Sequence, residues 1–74
     1  MPNQTLTLLT FDNYFIIQSS EKIADISITN VLGQTEYYSI NQSQWQSTKL
    51  QKGLYLLTLK NESGEVMIKK VLLN

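Results

Sequence analysis

Hydrophobic and polar residues alternate along much of the chain with a period of two, the period of a strand whose successive side chains point to opposite faces. Thr5-Leu-Thr-Leu-Leu-Thr10 opens this way, Asp12-Asn13 supplies turn chemistry, and Tyr14-Phe-Ile-Ile-Gln18 follows as an aromatic and β-branched run. Another turn is expected at Ser19-Ser20-Glu21. From Ile23 to Thr29 the alternation is cleanest, with Ala24, Ile26 and Ile28 on one face and Asp25, Ser27 and Thr29 on the other. Asn30-Val-Leu-Gly33 interrupts it, Gly33 being suited to a left-handed turn position. Strand composition then resumes over Gln34 to Ile40, so the two runs read as a hairpin.

Asn41 to Thr48 is rich in Gln and Ser and is expected to cross between sheets, with Trp45 as a lid over the core edge; an exposed binding Trp is the alternative. The most apolar run, Leu54 to Leu59, starts directly after Lys52-Gly53, where glycine alone takes positive φ without steric cost. Gly53-x-Tyr55-x-Leu57 has the spacing of an immunoglobulin-type corner, in which a Tyr opens a core strand and its hydroxyl bonds back to upstream backbone. Tyr55, Leu57 and Leu59 are therefore expected to face inward. Asn61-Glu-Ser-Gly64 is a turn, and Glu65 to Leu73 forms the last strand. Its core face stays open: Val66, Ile68 and Leu72 share one parity, Met67, Val71 and Leu73 the other, and a bulge near Lys69-Lys70 would let the strand change face. Short strands with turn signals between them and no 3.6-residue periodicity predict an all-β fold, an antiparallel sandwich of six or seven strands, with a barrel as the alternative.

Seventy-four residues hold one domain with a small core, and the absence of cysteine removes any disulfide that would reinforce it. Six basic and six acidic residues cancel, leaving no electrostatic footprint for nucleic acid or an anionic membrane. The apolar runs are far shorter than the roughly 20 residues of a spanning helix, so the chain is expected to be soluble. Met1-Pro2 is not followed by a basic segment and a long apolar core, so no secretory signal peptide is expected here, as would also hold for a fragment of a longer exported protein. With no His, the commonest general base and metal ligand is missing, and the scattered carboxylates form no calcium loop. The glycines form no phosphate cradle. No enzyme, cofactor, metal or small-molecule substrate is expected. The glycosylation triplets at Asn3, Asn41 and Asn61 are short enough to arise by chance.

Four features stand in order: Asp12-Asn-Tyr-Phe-Ile16, Ile26-Ser-Ile-Thr-Asn-Val-Leu-Gly-Gln34, Leu50-Gln-Lys-Gly-Leu-Tyr-Leu56 and Lys69-Lys-Val-Leu-Leu-Asn74. Together they resemble the C-terminal sorting domain of the Bacteroidetes type IX secretion system. The resemblance covers Asp12 to Asn74, so a sorting domain is expected over residues 11–74, with residues 1–10 as an N-terminal strand or a linker to cargo. It departs in one place, since Leu9-Thr-Phe11 stands where family members usually carry Pro-Asn-Pro. It implies an immunoglobulin-like antiparallel β-sandwich of about seven short strands at the C-terminus of a larger exported protein. It also implies passage through the periplasm, recognition by an outer-membrane translocon, and removal at the cell surface by a sortase-like protease.

The recognition signal is then expected in Lys69, Lys70, Val71, Leu72, Leu73 and Asn74, on a terminal strand able to offer its backbone edge, with Gly33, Gly53 and Tyr55 as the structural motif. Lys69 and Lys70 have a plainer reading, as charges that keep an edge strand from aggregating. The rival function is an adhesion or carbohydrate-binding module that uses Tyr37, Tyr38 and Trp45 as an aromatic platform. A third is a structural spacer between enzyme domains.

Overall fold

The computed structural model describes residues 5–74, so the Asn3 triplet and the Met1-Pro2 reading lie outside the described residues. The fold is all-β. Five strands, β1 (Leu6–Thr10), β2 (Phe15–Thr29), β3 (Thr35–Gln46), β4 (Gly53–Asn61) and β5 (Val66–Leu73), form one antiparallel sheet, with no helix among the described residues. Its path runs β1-β2-β4-β5, and β3 covers the other edge of β2.

This is a curled five-strand sheet and not the seven-strand sandwich expected. Two of the expected breaks are absent. Ser19-Ser20-Glu21 lies inside β2, and Asn41 to Gln46 is the second half of β3, with Gln44, Trp45 and Gln46 opposite Gln18, Ile17 and Ile16. Ser, Asn and Gln favour turns because their side chains compete for backbone hydrogen bonds, but here the ladder between two long strands satisfies that backbone. The disruption survives as irregular register between Gln18 and Ile23 and between Ile23 and Asp25. On β3, Asn41 takes φ 51°, a left-handed conformation that Asn tolerates better than most residues.

These irregularities bend the sheet. A straight 15-residue β2 would span about 46 Å at about 3.3 Å per residue, whereas the longest extent of the molecule is 36 Å. The curl brings β1 against β5. Phe15 and Ile17 from the first half of β2 thus meet Ile23, Ile26, Ile28, Leu57, Leu59, Val71 and Leu73 in one core. The shift between Ile23 and Asp25 also changes which parity faces inward, so Ile23 is buried and the expected Ala24 only half so. Trp45 is half-buried, edge-on to Phe15 with centroids 5.9 Å apart, the lid arrangement.

No bulge interrupts β5. Its register with β4 runs unbroken from Gly53↔Leu73 to Lys60↔Val66, so a single parity faces inward throughout, with Met67 half-buried and Val71 and Leu73 fully so. Val66, Ile68 and Leu72 point outward. Among the described residues no helix is long and apolar enough to cross a membrane.

Candidate functional site

β4 starts at a strained corner. Gly53 has φ 147°, a region that L side chains rarely adopt, although no heavy atom lies within 4 Å of where a Cβ would stand. Backbone conformation and not crowding therefore demands glycine. Two residues on, the Tyr55 hydroxyl donates to the Gln51 carbonyl at 2.6 Å and ties the loop to the strand it precedes. Tyr55 is half-buried against the core, while Leu57 and Leu59 are fully enclosed.

β5 lies beside this corner and, among the described residues, pairs only with β4, so its other backbone edge has no ladder partner there. The residues expected to carry recognition divide into distinct groups. Val71 and Leu73 are core residues, each 1% exposed, and are out of reach in the folded domain. Leu72 is 54% exposed on the outer face opposite Leu54. Lys70 shares that face opposite Leu56, whereas Lys69 stands opposite the buried Leu57 yet remains exposed at the sheet margin. The two lysines thus project from opposite faces. An inward-parity lysine on an edge strand also discourages pairing with another sheet.

Residues 11–74 match the family described as the secretion system C-terminal sorting domain. The chain belongs to that family. Its members serve as type IX secretion C-terminal sorting signals, which mark an attached protein for export across the outer membrane to the cell surface or beyond. A search of curated proteins returned no match.

Tyr37, Tyr38 and Trp45 of this sorting domain do not share one exposed face. Tyr37 is 80% exposed opposite Ser27, but Tyr38, next along the strand, faces the other way, and its ring lies 5.1 Å from Trp45 at the core margin. The Tyr38 hydroxyl donates to Glu36. That bond raises the phenol above its ordinary value, burial and the Glu36 charge add to the rise, and a hydrogen bond with Thr48 opposes it. A phenol held in its neutral form is a poor base or nucleophile. Beside Tyr37 lies an open depression of about 500 Å³ lined by Asp25, Ser27, Thr58 and Lys60. No group of three or more potential metal ligands occurs among the described residues.

Two polar residues matter more than their types suggest. Asn61 is 2% exposed; its Nδ2 donates to Glu21 at 2.8 Å, and its Oδ1 accepts the Glu65 N–H and the Ser63 hydroxyl, both at 2.9 Å. It fastens the β4–β5 turn to the bend of β2. Ser47, 5% exposed, exchanges backbone and side-chain bonds with Phe15, and its N–H donates to the Phe15 carbonyl at 2.9 Å. In sequence, Asn61 reads as an ordinary turn residue and Ser47 as part of a polar connection. Only the bend that brings Glu21 and Phe15 to them reveals their part.

Proposed function

We propose that this domain carries its cargo, the protein joined ahead of it, from the periplasm through the outer membrane, and that β5 is the strand the translocon engages. One observation supports the reading: among the described residues β5 pairs on one side only, leaving its other edge without a ladder partner and open to strand addition. Lys69, Lys70, Leu72 and Asn74 present side chains along that edge, while Val71 and Leu73 hold the strand on the core. The unit that acts is residues 11–74, with residues 1–10 joining it to cargo. It is non-catalytic, and a sortase-like protease at the cell surface removes it.

The test is a reporter with a signal peptide fused ahead of the chain in a bacterium that has a type IX system. The folded fusion reaches the cell surface. Deleting residues 71–74 strands it in the periplasm, but this deletion also removes two core residues, so it needs a partner that spares the fold. Lys70→Gln with Leu72→Ser serves, because both side chains are exposed. That pair lowers surface delivery at unchanged thermal stability, and Lys69→Gln with Lys70→Gln weakens export less than the deletion. A folded wild-type fusion that stays in the periplasm would end the sorting proposal.

A further inference from the structure

The tip of the β2–β3 hairpin carries Val31 and Leu32, 75% and 80% exposed. The turn itself does not need them. Asn30 Oδ1 accepts the N–H groups of Leu32 and Gln34, and Gly33 at φ 83° closes the loop, so polar side chains at 31 and 32 would serve equally well. The tip is also not isolated, because Val31 and Leu32 share a recess with Lys52 and Leu54, and Val31 shares a second with Leu54, Leu56 and Lys70. No carboxylate lines either recess. The net charge of zero therefore conceals an uneven distribution: Lys49, Lys52 and Lys70 line recesses at this end with one carboxylate, Glu36, whereas the β4–β5 turn at the other end of β4 gathers Glu62, Glu65 and Glu21 against Lys22 and Lys60.

We propose that this end of the domain docks on an anionic lipid surface, with Val31 and Leu32 entering the headgroup–acyl boundary and Lys52 and Lys70 lying against the phosphates. Aliphatic residues on a projecting tip, flanked by lysines, match the two attractions that hold a peripheral element to a bilayer. A second copy of the chain fits less well, since a two-fold contact through this patch would set Lys52 and Lys70 against their own counterparts. A sugar fits less well too, because the only ring at the patch, Tyr55, is half-buried with its hydroxyl committed to Gln51. This surface shares Lys70 with the strand proposed to meet the translocon but makes no use of the backbone edge of β5.

Flotation of the chain with vesicles tests the assignment, using equal parts phosphatidylcholine and phosphatidylglycerol against phosphatidylcholine alone. The wild-type chain binds the anionic vesicles and not the neutral ones. Val31→Ser with Leu32→Ser, and separately Lys52→Gln with Lys70→Gln, each reduce that binding about tenfold or more at unchanged thermal stability. Lys22→Gln with Lys60→Gln, away from the tip, leaves binding intact. Wild-type binding that is absent, or that the distal pair removes as strongly as the tip pairs, overturns the proposal. So does a concentration-dependent dimer that Val31→Ser with Leu32→Ser dissolves while vesicles bind nothing, which would make the tip a self-association surface.

Discussion

The two Asn-x-x-Gly turns of this domain share one local construction and do different work. In each, the Asn N–H donates to the carbonyl four residues on, the Gly N–H returns to the Asn carbonyl, and the Asn Oδ1 accepts the N–H four residues on. Asn30 completes its bonds locally, its Nδ2 donating to Gln34 at 2.8 Å, and it holds up an exposed aliphatic tip. Asn61 is buried and reaches 40 residues back to Glu21. The same local chemistry thus makes a free-standing presenter at one end of β4 and an internal fastener at the other. Local turn geometry says how a chain reverses; the neighbours decide whether the reversal supports the core or faces solvent.

The largest test is one that should not distinguish the turns. Leu57, fully buried and paired with Ile28 and Lys69, lies in the core between the two hairpins. Leu57→Ala is expected to lower stability by about 2 to 5 kcal/mol, read as a fall in the urea midpoint, with amide exchange accelerated in both hairpins. Faster exchange in one hairpin alone would show that they do not share a core.

Next come the two asparagines. Asn61→Ala leaves the partly buried Glu65 N–H and the Glu21 carboxylate short of a partner and is expected to cost about 1 to 3 kcal/mol. Asn30→Ala, where water can replace the lost bonds, should cost about 1 kcal/mol or less. Equal losses in thermal denaturation would erase the distinction between fastener and presenter.

A comparable effect is expected at the corner between them. Gly53→Ala forces a side chain into a conformation reserved for glycine and should cost about 1 to 3 kcal/mol, although it meets no neighbour. Asn prefers the left-handed region near φ +57°, not +147°, so Gly53→Asn should be no better tolerated. Rescue by Asn in a urea titration would place φ nearer the left-handed helical region. Tyr55→Phe, which removes the bond to Gln51, is expected to cost about 1 kcal/mol.

The smallest effect is in the titration of Tyr38. Because its folded-state pKa lies above the unfolded value, mainly through the bond to Glu36, its contribution to stability is fully present below about pH 10. That contribution is lost as pH rises through the folded value. Spectrophotometric titration should show a late phenol that disappears in Tyr38→Phe and moves to lower pH in Glu36→Gln.

Much of this was legible in the residues. Alternation at period two located β1 and the second half of β2, and aromatic, β-branched and apolar runs the first half of β2 and β4; the Asn-x-x-Gly spacing placed both turns; and Gly53-x-Tyr55 announced a hydroxyl bonded to backbone, since each rests on interactions within a few positions of the chain. The ordered motifs from Asp12 to Asn74 pointed to the sorting-domain family that residues 11–74 match.

What tertiary structure decided lies at longer range. Ser19-Ser20-Glu21 and Asn41 to Gln46 have turn composition, and only their pairing across the bend made them strand. β5 carries apolar residues on both parities, so its own pattern could not choose a face; the unbroken register with β4 chose Met67, Val71 and Leu73. Asn61 became a buried fastener because the bend in β2 carried Glu21 to it. The physical reason is common to all three: local sequence selects among backbone conformations, while burial and pairing come from strands tens of residues apart, whose meeting is known only once the sheet has curled.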